Sequence, residues 1–198
     1  MGNPEKQVKV SVSYLMNDTE RTSHETFNLK ILSHLLLDGS SAPLYKALID
    51  SNIGQDYSAG TGYDCSTKQA TFSVGLQGIA ERDVDKVLNI TTKVLQECKE
   101  SGFSQDRIDT VLHLLELGTK YRTSQYGLAL SHRIISSWVY DIDPEVELSV
   151  NKSIEFFKKE YEKGGLFESL IDKYFLNNSK KLTFIMRPDD SYNDYLVK

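Results

Sequence analysis

An alternation met three times constrains this chain more than any other feature. Val8, Val10, Val12 and Tyr14 alternate with Lys9, Ser11 and Ser13. Phe72, Val74 and Leu76 alternate with Thr71, Ser73 and Gly75, and Leu182, Phe184 and Met186 alternate with Thr183 and Ile185. A period of two is a strand with one face turned to a core. Strands of that kind need helices or a second sheet to cover the apolar face.

The segments between them supply helices. Thr22-Ser23-His24-Glu25 has the spacing of a capping box and opens an apolar helix from about His24 to Leu37, with Gly39 as its left-handed stop. Ser41 and Pro43 open a second, short helix through Leu44, Leu48 and Ile49 to Gly54. Gln55 to Tyr63, a turn near Ser66-Thr67, and the strand at Phe72 read as a β-hairpin. Val84, Val87, Leu88, Val94, Leu95 and Cys98 then form one apolar helical stripe, ended by Gly102-Phe103. Ser104 opens a helix with the face Ile108, Val111, Leu112 and Leu115. Another carries Leu130, Ile134 and Trp138, and Trp138 reads as a core anchor. Asp141 to Pro144 breaks it, and amphipathic segments follow at about 146–161 and 166–175.

The order β-α-α-β-β-α-α-α-α-α-β predicts an α+β fold: a small, mainly antiparallel sheet with helices packed on one face. The chain has 198 residues, which suits one domain, with polar tails at about 1–6 and 189–198. Met1-Gly2 reads as an artefact of expression. No signal or transit peptide is visible, so the chain reads as an excised or mature segment.

A net charge of −5 and no basic block argue against nucleic acid as a partner. No apolar run approaches the roughly 20 residues that span a bilayer, which argues against a membrane. Cys65 and Cys98 form neither a CxxC pair nor a disulfide framework, and reduced thiols inside a cell or organelle are the simplest reading.

The search for chemistry returns no catalytic residue and no metal ligand. His24-Glu25-Thr26-Phe27-Asn28 begins like His-Glu-x-x-His but ends in Asn, and His113-Leu114-Leu115-Glu116-Leu117 begins like His-x-x-Glu-His but ends in Leu. One imidazole and one carboxylate on a helix do not make a zinc site. These two read as surface or rim histidines. There is no Gly-x-Ser-x-Gly elbow and no phosphate loop. Asp83/Asp85 and Asp189-Asp190 read as helix-start and loop residues.

The stretch from Asp56 to Tyr63 is rich in small residues, so its Tyr57, Ser58, Ala59, Gly60 and Thr61 are candidate substrate-binding residues. At a sheet edge their backbone accepts an extended peptide by strand addition. The plainer alternative is an edge strand whose glycines accommodate a bulge.

Four blocks carry a resemblance. They are Ala42-Pro43-Leu44-Tyr45-Lys46-Ala47-Leu48-Ile49 with Gly54, Phe72-Ser73-Val74-Gly75-Leu76-Gln77-Gly78-Ile79, Asp106-Arg107-Ile108, and Met186-Arg187-Pro188-Asp189-Asp190. In order and spacing, from about Val8 to Tyr192, the chain resembles the second domain of the presequence proteases. These are long, clam-shaped members of the pitrilysin/insulysin-type zinc metalloproteases, together with falcilysin.

The resemblance implies a fragment of a four-domain protein whose halves enclose a chamber for short peptides. It implies a zinc cofactor held by the first domain and none held by this segment. It also implies cleavage of mitochondrial presequences and other short peptides in the mitochondrial matrix or another organelle. The partners implied are the other domains of the same chain and short peptide substrates. The role left to this segment is to support the catalytic domain and wall the chamber. In the insulysin branch the hairpin of this domain anchors the N-terminal end of the substrate, which corresponds by position to Asp56–Thr61 here. Two alternatives stand beside this: a domain of a zinc-less structural paralogue, of the respiratory-complex core or processing-peptidase partner type, and a stand-alone peptide-binding module.

Overall fold

Two long strands form the centre of the sheet, β1 (Val8–Asp18) and β4 (Gln69–Ile79). The computed structural model describes residues 5–19, 23–120, 124–145, 150–189 and 191. β1 and β4 pair antiparallel, with Val12 opposite Val74 and Tyr14 opposite Phe72. β5 (Lys181–Met186) lies antiparallel on the other side of β1. β2 (Asp56–Tyr57) and β3 (Gly62–Asp64) share the far side of β4 as one interrupted strand. The expected hairpin is therefore present, broken by a turn at Ser58–Thr61.

The alternation sets the two faces of the sheet. Val10, Val12, Tyr14, Phe72, Val74 and Leu76 are buried against the helices. Helix α1 (Ser23–Leu37) buries Leu29, Ile31, Leu32, Leu35 and Leu36. Helix α2 (Val84–Ser101) buries the predicted stripe of Val84, Val87, Val94, Leu95 and Cys98, with Thr91 among them. Helices α3 (Gln105–Lys120), α5 (Val150–Tyr161) and α6 (Leu166–Ile171) extend the core. Between α3 and α5 runs α4 (Tyr126–Trp138). Phe175 closes the core over the sheet, edge-on to Phe72 at 4.9 Å and to Tyr14 at 5.1 Å between ring centroids.

The opposite face carries Ser11, Ser13, Ser73 and Gly75, with the Ser13 and Ser73 hydroxyls 2.7 Å apart. On β5 the larger apolar set also lies on this face: Leu182 is opposite Ser13 and Phe184 opposite Ser11. Leu182, Phe184 and Met186 are about half exposed or more, while Ile185, opposite Val10, is the half-buried one.

Three expectations are corrected. Trp138 is not a core anchor: it is 65% exposed, because α4 turns Leu130 and Ile134 inward instead. The short helix at Pro43 does not reach Gly54. It ends in a π-turn at Tyr45–Ile49, after which Asn52 takes a positive φ of 55° and reverses the chain. Ser41 does not cap that helix: the helix starts at Pro43, with Lys46 N donating to Ala42 O at 3.0 Å, and the Ser41 hydroxyl instead accepts from Arg107 Nη1 at 2.6 Å. The capping box expected at Thr22 lies outside the described residues.

Arg107, on α3, ties the domain together. Its Nη2 donates to Leu35 O and Asp38 O, each at 2.8 Å, and its Nε donates to Leu35 O at 3.1 Å. Those carbonyls end α1, where the last turn leaves acceptors without intrahelical partners and the helix dipole is negative. A guanidinium answers both with charge-assisted, forked hydrogen bonds. A second tie joins Lys99 on α2 to Asp172 beyond α6. The lysine and a hydrogen bond from Asn177 hold that carboxyl below its ordinary range.

The two cysteines sit in unlike surroundings. Burial, with a smaller push from Glu97, raises the Cys98 thiol to about 11, while Cys65 is half-buried. Thiolate is the reactive form, and raising the pKa removes it at neutral pH. At pH 8 an alkylating reagent is expected to modify Cys65 on the native protein and spare Cys98 until denaturant is added, as read by peptide mass spectrometry. Equal native rates at the two sites would contradict this packing of α2.

Candidate functional site

A concavity to which the predicted residues contribute lies between α1 and the β2–β3 segment. It encloses about 480 Å³ and is lined by Lys30, Ser33, His34, Leu37 and Asp38 on one side and by Tyr57, Ser58, Gly60, Thr61, Gly62 and Tyr63 on the other. Four of the five predicted residues, Tyr57, Ser58, Gly60 and Thr61, therefore meet in one place. The fifth, Ala59, is exposed and does not line it.

The local sequence accounts for this shape. Gly60 takes φ +77° at the third position of the Ser58–Thr61 turn, a conformation that glycine adopts without strain. Thr61 Oγ1 donates to Ser58 O at 2.8 Å and Ser58 N donates to Gly75 O at 3.0 Å, so the turn is pinned to β4. Opposite it, positions 30, 33, 34, 37 and 38 fall on one face of α1 by helical spacing. The sequence reading missed that face. Lys30, His34 and Asp38 look like an ordinary solvated stripe, and nothing local shows that the hairpin lies against it.

The wall is polar at the rim and aromatic within. His34 Nδ1 and Asp38 Oδ2 are 2.5 Å apart. Tyr63 OH donates to Asn17 Oδ1 at 2.6 Å, and Asn17 Nδ2 donates to Thr26 Oγ1 at 2.8 Å. This chain of hydrogen bonds crosses from β3 to β1 to α1. Burial moves both the Tyr57 and the Tyr63 phenol above the ordinary range, and for Tyr57 the nearby Tyr45, Asp38, Asp56 and Asp50 add to it.

The Tyr57 hydroxyl is buried and meets no hydrogen-bond partner among the described residues. Leaving such a group unpaired carries a desolvation cost, so removing it is close to neutral or stabilising. Tyr57→Phe is therefore expected to hold or raise the melting temperature of the chain in a thermal scan. A fall of about 1 kcal/mol or more would show that the hydroxyl is satisfied.

Strand addition meets a limit here. Tyr63 N donates to Ser33 Oγ at 3.2 Å and Tyr57 N donates to Asp56 Oδ1 at 2.7 Å. Two backbone donors that an added strand could use are thus taken, and α1 covers the edge at Tyr63. At the Asp56–Thr61 end Ser58 N and Thr61 N are committed as well, to Gly75 O and Ser58 O, which leaves the pocket beside it as the exposed feature.

A zinc centre does not fit these residues. Among the described residues no group of three or more His, Cys, Asp and Glu side chains could hold a metal ion. His24 stacks on Phe156 at 3.8 Å, His34 pairs with Asp38, and His113 and His132 are exposed on separate helices. Among the described residues no helix is long and apolar enough to cross a membrane.

Comparison with known proteins gives a consistent result. The family model described as "Peptidase M16 inactive domain" matches residues 1–115. The mitochondrial presequence protease of Mus musculus is 43% identical over 188 residues, which are 94% of this chain and 18% of that protein. The mitochondrial presequence protease of Schizosaccharomyces pombe is 39% identical over 189 residues, 96% of this chain and 19% of that protein. The chain thus spans about a fifth of the length of the curated relatives it matches. Among solved structures, the inactive peptidase domain of a Bordetella parapertussis protein described as a zinc protease superposes with a TM-score of 0.71 at 18% identity, covering 96% of this chain and 95% of that one. The periplasmic protease PqqL of Escherichia coli superposes with a TM-score of 0.69 at 14% identity, covering 94% of this chain and 20% of that one. At such identities the structures speak for the fold, which is α+β in each.

Proposed function

The chain belongs to the peptidase M16 inactive-domain family, and from that premise we propose that it is the second, non-catalytic domain of a presequence-protease-type zinc metalloendopeptidase. In this reading the whole polypeptide degrades presequences and other short unstructured peptides inside a closed chamber in the mitochondrial matrix. This domain supports the catalytic domain and walls the chamber, and its partners are the other domains of the same polypeptide. The zinc is held elsewhere in the polypeptide, since the residues described here do not form a site for it. The observation that carries the proposal is identity of about 40% to mitochondrial presequence proteases along nearly the whole chain.

Within that reading, the pocket between α1 and Asp56–Thr61 takes one end of a bound peptide. Its aromatic walls accept an apolar side chain. Asp38, in the lining, supplies negative charge for an ammonium group or a basic residue, with Asp56 next to the pocket residue Tyr57 in the chain.

The test has two parts. The isolated chain is expected to retain no stoichiometric zinc after dialysis and to leave a fluorogenic presequence peptide uncut. The full-length polypeptide is expected to cut the same peptide in a chelator-sensitive way. Chelator-sensitive cleavage by the pure chain, at a rate that follows its concentration, would overturn the assignment of a non-catalytic role. A full-length polypeptide lacking His-x-x-Glu-His upstream of Val8 and inert to peptides would favour the zinc-less paralogue.

A further inference from the structure

The outward face of α4 carries large apolar side chains, where the outward face of α2 is polar. On α2 the outward positions are Asp85, Lys86, Lys93, Gln96, Glu97 and Glu100, all exposed. Helix α4 contains no carboxylate at all, in a chain of net charge −5. Its inward side presents Leu130 and Ile134, half-buried, and Ser137, buried. Its outward side presents Leu128 (61% exposed), Ile135 (56%) and Val139 (68%), which fall within about 40° of one another around the helix axis. Trp138, 65% exposed, flanks them. Even the serines withdraw their polarity: Ser131 Oγ donates to Gly127 O at 2.8 Å and Ser136 Oγ donates to His132 O at 2.9 Å. A helix with apolar side chains on two opposite sides asks for a cover on each. Contiguous exposed apolar surface of this kind marks an interaction site.

We propose that this face of α4 is the seat of a second folded domain of the same, longer polypeptide. The inference rests on the reading of the chain as one domain of a presequence-protease-type protein. Two observations select this occupant. Relatives about 40% identical are more than five times as long, and the same fold makes up 20% of the PqqL chain, so most of such a polypeptide lies outside these residues. The face is also mainly aliphatic, flanked by Trp138 on one side and by exposed His132 on the other, closer to the composition of permanent interfaces than to the more polar surfaces that transient partners meet.

The test compares Ile135→Asp in the isolated chain and in the full-length polypeptide. In the isolated chain it is an exposed substitution, so the melting temperature is expected to stay within about 2 °C of the parent sequence. In the full-length polypeptide it is expected to lower the first melting transition by more than about 5 °C and to admit new cuts in limited proteolysis. Val139→Lys, at the exposed end of the helix, serves as the second variant. A full-length polypeptide that melts and resists protease as before with both variants overturns the proposal. So does collapse of the isolated chain with both, which would mean that the face is already covered within this chain. Sedimentation that shows an isolated-chain dimer broken by Ile135→Asp, with the full-length form indifferent, assigns the face to a second copy and overturns it as well. Peptide cleavage by the unsubstituted full-length polypeptide is scored separately: its absence strikes the functional reading, while its presence alongside indifferent variants strikes only the docking surface.

Discussion

Gly75→Ala is expected to destabilise the chain by about 3 kcal/mol or more, enough to lower its melting temperature by roughly 6–12 °C in a circular-dichroism melt. A Cβ built on Gly75 would stand 1.9 Å from Val10 O and 2.6 Å from the Ser11 Cα. Both contacts are backbone, on the strand paired directly with β4, so no side-chain rotation relieves them. The two central strands would have to part, and with them the buried row of Val10, Val12, Val74 and Leu76. Gly118, exposed in α3 with nothing within 4 Å of its would-be Cβ, supplies the opposite sign. There Gly118→Ala is expected to stabilise by about 0.5–1 kcal/mol through helix propensity alone. A Gly75→Ala protein melting within about 2 °C of the parent would refute the β1–β4 register described above.

Arg107→Ala is expected to cost about 3 kcal/mol in urea denaturation, since a charged hydrogen-bonding group contributes roughly 1.5–3 kcal/mol per bond made and several are lost together. Arg107→Lys is expected to recover less than half of this. A single ammonium cannot reach Leu35 O, Asp38 O and the Ser41 hydroxyl at once, as the guanidinium fork does. The consequence reaches the pocket. His34, Leu37 and Asp38 belong to the turn that Arg107 holds, so amide exchange around Leu37–Gly39 should accelerate in the alanine variant. A loss below about 1 kcal/mol would show that water satisfies those carbonyls without help.

The strands and α2 were legible because each carries its partner's signature in its own period. Lys9, Ser11 and Ser13 are polar because their face is open, and Cys98 is apolar company for Val94 and Leu95. Arg107 belongs to one of the blocks that carried the family resemblance, and the structure supplies its physical meaning. What escaped the sequence is tertiary placement. Spacing puts Trp138 on an apolar stripe, but it cannot say whether anything lies across from that stripe. That Lys30, His34 and Asp38 share a pocket with Tyr57–Tyr63 is invisible in the sequence, because only the fold brings the hairpin to that face of α1. On β5 the alternation was visible, yet which set faces the helices was decided by the register to β1, with Ile185 opposite Val10.

Strand β1, the first of the described strands, sits between β4, which arrives midway, and β5, the last of them. Ser13 meets Ser73 across 60 residues of chain, and Asn178 reaches back to Leu15 across 163. Closing loops of that size is slow, and a sheet dominated by such distant pairings folds on a timescale of milliseconds to seconds. During synthesis β1 emerges early, finds β4 on one flank, and waits with its other flank bare until Lys181–Met186 leaves the ribosome. A nascent chain paused before that point exposes an unpaired strand edge in the middle of its own sheet, and chaperone binding should concentrate at that stage of translation.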